Sequence, residues 1–554
     1  MKILIVGGVA GGATAATRLR RLSEENEVIV FEKGAYVSFG NCGLPYHISG
    51  TIEDRNALLL QTPEGLKERY NLDVRIHSEV ERIDLQSKTV FVKNLLTEKV
   101  YEETFDKLLL SPGAEPIRPN FEGINSDKIL TLRNIPDMDK IVDKVKTAKS
   151  FVVVGGGFIG LEVAENLIEA GKSVKLVELS NQVMAPVDYD MASFIHEKAI
   201  EKGLQLLLNI SVERFRDVGD KIEVYLNNGE VIETDCVILA IGVRPDVKLA
   251  KEAGLIIGSN NGILVNKNMQ TSHPDVYAVG DAVEVPHYIH QQQVLIPLAW
   301  PANRQGRLVA DNIIYGNKYK YPGSLGSSIL KFFDIAVAAT GLNEKFLKKN
   351  NIDYKTVIVT RGHHAGYYPG AKNMVLKLIF DHQGKIFGAQ AVGEKGVDKR
   401  IDVIATAIKG NLTVFDLQEI EITYAPPFNS AKDPVNIAGY AAENILNNIL
   451  EMINYDEFYD FVKTNNAIVL DVRTKSEYAK GSIGNAININ VDDLRANLNH
   501  LDKNQTYIVY CQVGLRGYLA HRILKSYGFK TVSLNGGYNL WSKVNPTMKI
   551  MSIV

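Results

Sequence analysis

Two glycine-rich segments constrain the fold of this chain most strongly. Residues 7–12 and residues 155–160 each follow a short apolar run, which predicts a strand over 2–6 and another over 151–154. Each segment opens a helical pattern, and a second predicted strand then ends in a glutamate. This strand–loop–helix–strand order is typical of a nucleotide-binding unit on a parallel sheet. The sequence therefore predicts an α/β fold with two Rossmann-like domains.

The residue types in the two loops predict two dinucleotide sites. A glycine turn lets backbone N–H groups and a helix N-terminus meet a pyrophosphate, and an acid at the next strand end binds a ribose hydroxyl. One such loop alone is also explained by a tight turn, but two loops with an acid each favour binding. The first loop carries Val9 where the motif has its second glycine, and its acid is Glu32. In the second loop Glu178 is followed by no arginine, which predicts NADH as the donor, with NADPH the weaker alternative.

A solitary cysteine follows the first unit. Cys42 is one of only three cysteines in 554 residues, and Cys236 and Cys511 are far from it in sequence. Three cysteines do not make a disulfide framework, and they indicate a reducing compartment. The oxidised state of Cys42 is therefore expected to take its partner from outside, as a mixed disulfide, a persulfide or a sulfenic acid.

Composition excludes several classes of protein. The formal net charge is −2, which gives no reason to expect nucleic acid or an anionic membrane as a partner. No apolar run reaches the ~20 residues needed to span a bilayer. We expect a cytoplasmic protein, and the sequence suggests no metal site.

Further segments resemble those of flavoproteins with two dinucleotide-binding domains. Residues 271–281, ending at Asp281, resemble the segment that holds the flavin ribityl chain, and 111–114 and 240–245 resemble the crossovers around an inserted NAD domain. The resemblance implies an FAD-binding domain over 1–112 and 246–322, an NAD(P)-binding domain over 113–245, a dimerisation domain over 323–445, and a homodimer. The implied FAD contacts are Gly7, Gly8, Ala10, Gly11, Gly12, Glu32, Lys33, Val80, Pro112, Gly113, Arg133, Asp281 and Ala299. The implied NAD contacts are Gly155, Gly157, Phe158, Ile159, Gly160, Glu178 and Gly242.

Within this superfamily, residues 1–445 resemble coenzyme A-disulfide reductase, a single-cysteine class. The resemblance is carried by residues 14–21, 38–46, 364–369 and 424–427. It implies that Cys42 pairs with the thiol of coenzyme A, and that Tyr367 and Tyr424 reach the reactive sulfur from the partner subunit. The implied coenzyme A contacts are Thr14, Arg18, Arg21, Ser38, Asn41, Asn303 and Lys432, with Arg18 and Asn303 departing from the family's residue types.

Two physical expectations accompany this resemblance. A helix that carries Arg18, Arg20 and Arg21 offers charge-assisted contacts to the phosphates of coenzyme A. Cys42 is expected to have a lowered pKa, because only the thiolate attacks or leaves well. The alternative explanation of Arg18, Arg20 and Arg21 is an ordinary basic helix face in contact with solvent.

The last hundred residues, 455–554, resemble a rhodanese (sulfurtransferase) domain. A predicted strand over 507–510 ends in a loop that runs from Cys511 to Arg516. Such a loop directs backbone N–H groups at the cysteine sulfur, which stabilises a thiolate and a terminal persulfide. Ser482 stands where the family usually has a histidine. An inactive docking module is the alternative. Cys236, in the apolar run 236–239, is predicted to be a small core residue.

The predicted function is an FAD-dependent NAD(P)H oxidoreductase that reduces coenzyme A disulfide, coenzyme A persulfide or polysulfide through Cys42, coupled to a sulfurtransferase domain. One alternative is an NADH oxidase or peroxidase that cycles through a cysteine sulfenic acid. Those enzymes have a histidine in the first glycine loop, where this chain has Ala10. A non-catalytic flavoprotein redox sensor is the second alternative.

Overall fold

The computed structural model describes residues 1–546 in two compact units. The first unit comprises residues 1–183 and 202–326, and the second comprises 184–201 together with the chain from 327 onward. Among the described residues, no helix has the length and apolar character that a membrane crossing requires.

The first unit contains two parallel sheets of five strands each. In sheet order the strands are Val276–Ala278, Lys107–Leu110, Lys2–Val6, Glu27–Phe31 and Asp73–Arg75 in one sheet, and Gln205–Leu208, Ser173–Glu178, Ser150–Val154, Cys236–Leu239 and Ile129–Leu130 in the other. All neighbouring strands pair in parallel. The central strands are apolar because both faces are covered; Ile3, Leu4 and Ile5 are fully buried.

Short antiparallel strands and seven α-helices complete the first unit. The antiparallel groups are Ser78–Asp84, Thr89–Asn94 and Val100–Thr104; Val212–Val218, Lys221–Leu226 and Val231–Thr234; Ala114–Pro116 with Val243–Pro245; and Val283–Pro286 with Gln293–Val294, beside Ile263–Leu264, which pairs in parallel with Val283–Pro286. The helices are Ala10–Leu22, Leu44–Ile48, Pro63–Tyr70, Ile135–Thr147, Phe158–Glu169, Lys248–Glu252 and Ala299–Tyr315.

The second unit is built around an antiparallel sheet of five strands. Their order is Ser328–Phe332, Ile335–Gly341, Ile386–Gly393, Asn373–Phe380 and Lys355–Gly362. The accompanying helices are Tyr189–Glu201, Glu344–Lys349, Val397–Lys409, Asp416–Glu419 and Pro434–Leu446. Asp433 caps the last of these helices, and Pro434 at its first position fixes the backbone angle that a helix start needs.

A buried charge cluster holds residues 184–201 in the second unit. Lys377 is 1% exposed, and its ammonium lies 2.7 Å from Asp190, 3.1 Å from Asp188 and 2.6 Å from Glu344. Burial opposes the charge on Lys377, but the three acids raise its pKa well above the ordinary value. An ammonium without these partners would be strongly destabilising at this depth. The helix Tyr189–Glu201, which falls inside the sequence-predicted NAD(P)-binding range, therefore packs with the second unit.

The C-terminal part of the second unit is a small parallel α/β domain. Its strands lie in the order Met452–Ile453, Lys530–Leu534, Thr506–Tyr510, Ile468–Asp471 and Ile487–Asn488. The helices are Phe458–Asn465, Lys475–Tyr478, Leu515–Ser526 and Gly537–Val544. One apolar cluster of this domain contains Leu470 and Val509, and a second cluster contains Ile508 and Leu534.

Candidate active site

The first glycine loop has the shape that a pyrophosphate requires. Gly7 adopts φ +98°, and a Cβ there would lie 2.1 Å from Ser111 O. A Cβ on Gly12 would lie 1.9 Å from Gly7 O, so only glycine allows the loop to close on the helix start. Glu32 accepts hydrogen bonds from Gly8 N–H at 2.9 Å and from Gly34 N–H at 2.8 Å.

The second glycine loop repeats this geometry residue for residue. Gly155 adopts φ +105°, and a Cβ there would lie 2.4 Å from Ala240 O. A Cβ on Gly160 would lie 1.9 Å from Gly155 O. Glu178 accepts from Gly156 N–H at 2.7 Å and from Ser180 N–H at 2.8 Å. Both loops fit the phosphates of a dinucleotide, with an acid at each strand end to meet a ribose.

Several other residues predicted to contact FAD lie together in the first unit. Arg133 donates to Pro112 O at 3.3 Å, and its guanidinium counters the burial that raises the pKa of Asp281. Asp281 sits in the short helix Gly280–Ala282, whose first N–H is held by Gln305 at 2.8 Å. Gly113 and Gly242, with φ of +76° and +115°, lie at the two crossovers. Lys33 lies 3.8 Å from Glu115; Val80 is buried in its strand, and Ala299 starts the helix Ala299–Tyr315.

The segment that carries Cys42 is hydrogen-bonded to the first glycine loop. Ser38 has the left-handed φ of +46° and donates its N–H to Gly8 O at 2.9 Å. Gly40 N–H donates to Leu58 O at 2.8 Å, and a Cβ on Gly43 would lie 2.4 Å from the Leu58 side chain. Cys42 follows in the short helix Asn41–Gly43 and is exposed. The backbone therefore presents this thiol to solvent at a defined place.

The electrostatics of Cys42 differ from the sequence expectation. Although the residue is exposed, nearby protein atoms partly exclude water from the Cys42 sulfur, which raises the pKa of the thiol, and the carboxylates of Glu162 and Asp281 raise it further. The lowered pKa that the sequence predicted is therefore not produced by this chain's own side chains. Stabilisation of the thiolate has to come from groups that bind beside it.

Sequence reasoning missed Glu162, which lies on the helix Phe158–Glu169 that follows the second glycine loop. Burial raises the pKa of Glu162 to about 7, and the neighbouring Glu165 adds to the rise. Tyr46 donates its hydroxyl to Glu162 at 3.5 Å. Glu162 and Glu165 lie three residues apart on a largely apolar helix, so the helical period places them side by side. This pair of neighbouring acids could have been found in the sequence.

Most residues predicted to contact coenzyme A lie in the first unit. Thr14 donates to Asn303 Oδ1 at 2.6 Å, which brings two of them into direct contact. Thr14, Arg18 and Arg21 share one helix face at spacings of four and three residues. The Arg18 guanidinium lies 2.7 Å from Asp311, and Arg21 and Asn41 are exposed.

Arg20 is buried, so the expectation that all three arginines of this helix face a phosphate is wrong. Its side chain is 5% exposed, and it donates to the carbonyl oxygens of Tyr70 at 3.0 Å and Glu24 at 2.7 Å. Two residues along a helix correspond to a rotation of about 200°, so Arg20 points away from the face of Arg18. Arg20 is therefore a structural residue that ties the helix end to a neighbouring turn.

The second unit carries the predicted tyrosine pair and Lys432. The hydroxyl oxygens of Tyr367 and Tyr424 are 3.0 Å apart, although the side chains are 76% and 48% exposed. This hydrogen bond raises the pKa of Tyr367. Two large exposed aromatic side chains that share a hydrogen bond indicate a surface that meets another molecule. Lys432 is also exposed.

The loop after strand Thr506–Tyr510 surrounds the Cys511 sulfur. Gly514 N–H donates to Cys511 Sγ at 3.1 Å, and Cys511 is 1% exposed. Arg516 forms a bidentate pair with Glu477 at 2.6 and 2.7 Å, which lowers the pKa of Glu477 to about 2. The Ser482 hydroxyl donates to Gly484 O at 3.3 Å. Cys236 is fully buried, and burial raises its pKa to about 12, as expected for a core residue.

Comparison with known families gives three matches along the chain. Residues 1–306 match the pyridine nucleotide-disulphide oxidoreductase family model, and residues 327–434 match the dimerisation domain of the same family. The chain belongs to this pyridine nucleotide-disulphide oxidoreductase family. Residues 454–544 match the rhodanese-like domain. The α/β fold class and the enzyme class predicted from the sequence are confirmed.

Relatives of this oxidoreductase include characterised reductases. Coenzyme A disulfide reductases of Staphylococcus aureus strain JH9 and Staphylococcus epidermidis strain ATCC 12228 are 39% identical over 446 residues, 80% of this chain and all of theirs. Reduced Bacillus anthracis CoADR-RHD is 49% identical, with a TM-score of 0.96 over 99% of this chain and 98% of that one. A NAD-dependent persulfide reductase from A. fulgidus is 34% identical, with a TM-score of 0.93 over 98% of this chain and all of that one.

The same family includes the main alternative. A water-forming NADH oxidase from Lactobacillus brevis is 29% identical, with a TM-score of 0.78 over 81% of this chain and 99% of that one. It matches without the rhodanese-like part of the present chain, which lies beyond the family's dimerisation domain. The family uses FAD and NAD(P)H, as the sequence predicted, and both glycine loops fit these dinucleotides. FAD, when bound, supplies a carrier that accepts two electrons from NAD(P)H and passes them to sulfur.

Proposed function

We propose that this chain uses NADH to reduce coenzyme A disulfide and coenzyme A persulfide or polysulfide through Cys42, while Cys511 transfers sulfane sulfur. The observation that carries the proposal is the isolation of an exposed Cys42. The two other cysteines are buried, Cys236 in a core strand and Cys511 in its own loop. An internal disulfide at Cys42 is therefore not available, and the oxidised state needs an external thiol.

The chemistry balances with one cysteine. The Cys42 thiolate attacks coenzyme A persulfide at the sulfur bonded to carbon, forms a Cys42–coenzyme A disulfide, and releases hydrosulfide. With coenzyme A disulfide the leaving group is a coenzyme A thiolate instead. Two electrons from NADH then cleave the mixed disulfide and return the Cys42 thiolate and a second thiolate, which takes up a proton. The net persulfide reaction consumes NADH and yields NAD⁺, coenzyme A and hydrosulfide, because the proton that the second thiolate takes up is the one that NADH oxidation releases.

The residues around the site support separate roles in this reaction. Thr14, Arg18, Arg21, Ser38, Asn41 and Asn303 would hold coenzyme A, with Arg18 leaving Asp311 for a phosphate. Tyr367, Tyr424 and Lys432 would come from the partner subunit of a homodimer, since they lie on the unit that contains the dimerisation domain. The tyrosine hydroxyls would donate hydrogen bonds to the departing thiolate. A reducing cytoplasm suits three unpaired cysteines.

An assay panel with the FAD-loaded protein tests the function. We expect steady-state NADH oxidation with coenzyme A disulfide and with coenzyme A persulfide, and sulfide release only with the latter and with polysulfide. Hydrogen peroxide and oxygen are expected to support at most a few per cent of that rate. Fast turnover with oxygen or peroxide alone would favour the oxidase or peroxidase alternative. Slow turnover with a long-lived charge-transfer band after NADH addition would favour the redox sensor.

Donor preference provides a prediction at the second glycine loop. In Glu178→Ala/Leu179→Arg, we expect the ratio of kcat/KM for NADPH over NADH to rise by about 10²-fold, because a repulsive carboxylate is replaced by a charge-assisted contact to the 2′-phosphate. Leu179 is 71% exposed, so an arginine there needs no repacking. Glu178→Gln is the control, since it retains an acceptor for Gly156 N–H and removes only the charge. An unchanged ratio in the double variant would contradict the proposed role of Glu178.

The pH dependence of Cys42 provides a second prediction. Glu162 titrates with a pKa of about 7, and above that pH its negative charge disfavours the Cys42 thiolate. Removing this charge in Glu162→Gln is expected to lower the Cys42 pKa and to raise its alkylation rate at pH 8 by threefold to tenfold, since a nearby charge is worth on the order of 1 kcal/mol. Iodoacetamide kinetics from pH 6 to 10 on the oxidised, FAD-loaded protein measure it. Glu169→Gln, on the exposed side of the same helix, is the matched control and should leave the profile unchanged.

A further inference from the structure

The exposed tyrosine pair needs a support that its own hydrogen bond cannot supply. Tyr367 follows the strand Lys355–Gly362, and Tyr424 lies in the segment before the helix Pro434–Leu446. A solvent-exposed hydrogen bond stabilises the folded chain by less than the conformational entropy lost when one residue of each loop is ordered. Two separate loops therefore hold a hydroxyl–hydroxyl distance of 3.0 Å only if something else fixes their backbones.

Asn429 connects the two loops from beneath. It is fully buried, and its backbone carbonyl oxygen accepts from Ala365 N–H at 3.0 Å, two residues before Tyr367. Its side-chain amide donates to Thr423 O at 3.3 Å, the carbonyl just before Tyr424. One buried residue thus contacts the backbone on the N-terminal side of both tyrosines.

Arg400 holds Asn429 in turn. Its guanidinium is 1% exposed and donates to Asn429 Oδ1 at 2.9 Å and to His363 O at 2.8 Å. It also pairs with Asp433 at 2.9 Å, and Asp433 caps the helix that follows Lys432. A Cβ on Gly396 would lie 2.4 Å from the guanidinium, so the space beside Arg400 is already filled. Arg400 therefore contacts the backbone before Tyr367 directly and the backbone before Tyr424 through Asn429. It also contacts the capping residue of the helix Pro434–Leu446, Asp433.

We propose that Asn429 and Arg400 are positioning residues that fix the Tyr367–Tyr424 pair as one donor unit for the departing thiolate. This inference rests on the proposed function, in which the pair meets the reacting sulfur. A buried arginine–carboxylate pair by itself is weak support for stability, because apolar residues often replace such pairs without loss. The geometry here differs, since the Asn429 side chain donates to Thr423 O and the Arg400 guanidinium donates to His363 O. Apolar replacements would leave these carbonyl oxygens of the two tyrosine segments unsatisfied.

The test compares Asn429→Ala with the tyrosine variant in the FAD-loaded dimer. We expect Asn429→Ala to lower kcat for coenzyme A disulfide by tenfold to a hundredfold with KM changed by less than threefold. NADH-dependent ferricyanide reduction, which needs no tyrosine, should stay within twofold. Adding Asn429→Ala to Tyr367→Phe/Tyr424→Phe should lower kcat no further, because residues that act as one unit have non-additive effects.

Two further variants separate positioning from general stability. Asn312→Ala removes an equally buried amide that donates only to Asn268 O and Tyr319 O, and it should leave kcat within twofold even if the unfolding temperature falls. Asn429→Asp retains an acceptor for Arg400 and Ser430 N–H but loses the donor to Thr423 O, so it should lower kcat about as far as Asn429→Ala. This variant also serves as the test if Asn429→Ala does not fold.

The outcomes of these experiments distinguish failure of the positioning role from failure of the proposed function. If Tyr367→Phe/Tyr424→Phe lowers kcat but Asn429→Ala does not, the positioning role is wrong and the proposed function stands. An additive loss in the triple variant would also overturn the positioning role. If the tyrosine variant keeps full kcat with coenzyme A disulfide, the tyrosine role in the proposed function is wrong, and the inference fails with it.

Discussion

Replacing Cys42 with serine is expected to abolish NADH-dependent reduction of coenzyme A disulfide and coenzyme A persulfide, with a loss of at least about 10³-fold in kcat. A hydroxyl at this place neither attacks sulfur at neutral pH nor forms a stable bond to it. Both reactions pass through a covalent bond to this one sulfur, so both rates should fall together. Stopped-flow and steady-state absorbance of NADH at 340 nm measure the loss.

The flavin and the nicotinamide site remain intact in that variant. Cys42 is exposed, and its replacement leaves no buried cavity, so NADH-dependent ferricyanide reduction should stay within about twofold. Cys511→Ser is the matched control for coenzyme A disulfide, because it removes the other reactive thiol and should leave this reaction unchanged. Undiminished coenzyme A disulfide turnover in Cys42→Ser would contradict the proposed mechanism entirely.

Features that depend on neighbouring residues in sequence were predictable. The glycine spacing and the glutamate after it place the strand, loop and helix of each nucleotide unit, and the structure starts the first helix at Ala10 and the second at Phe158. A left-handed glycine after an apolar strand admits few conformations, so these loops are determined locally. The same holds for the loop between Cys511 and Arg516.

Features that depend on long-range contacts were not predictable. Arg400 and Asn429 are 29 residues apart, and the Lys377–Asp190 pair spans 187 residues. The periodicity of a single sequence does not show which buried charged residues pair with each other. For this reason the sequence placed Asp190 inside the NAD(P)-binding range, whereas its charge partner holds the helix Tyr189–Glu201 in the second unit. The domain boundaries themselves stay predictions.

The raised pKa of Cys42 has a chemical consequence for the order of events. Partial burial of the sulfur and the carboxylates of Glu162 and Asp281 raise the pKa of Cys42 and so disfavour its thiolate, the form that attacks sulfur. A mixed disulfide carries no charge at this sulfur and suffers no such penalty. In the proposed mechanism, the surroundings of Cys42 therefore disfavour the free thiolate relative to the uncharged mixed disulfide.

Replacing Cys511 with serine is expected to separate the two activities. With polysulfide as the sulfur source and catalytic amounts of coenzyme A, NADH-dependent sulfide release should fall by about 10²-fold or more, whereas reduction of coenzyme A disulfide should stay within twofold. In the proposed route the Cys511 thiolate takes a sulfane sulfur from polysulfide. A coenzyme A thiolate then attacks the terminal sulfur of that persulfide, which forms coenzyme A persulfide and returns the Cys511 thiolate. Methylene-blue sulfide assays alongside NADH absorbance measure both steps.

The Cys511 sulfur lies in a buried position. Cys511 is 1% exposed, and its sulfur accepts a hydrogen bond from Gly514 N–H. Ser482→Ala is the matched control in the same domain, because the half-buried Ser482 donates its hydroxyl to Gly484 O and its loss should leave sulfide release unchanged. Preformed coenzyme A persulfide should bypass Cys511 and restore sulfide release in Cys511→Ser. Full polysulfide turnover without Cys511 would instead mean that Cys42 takes sulfur directly, and the rhodanese-like domain would then be the docking module that the sequence left open.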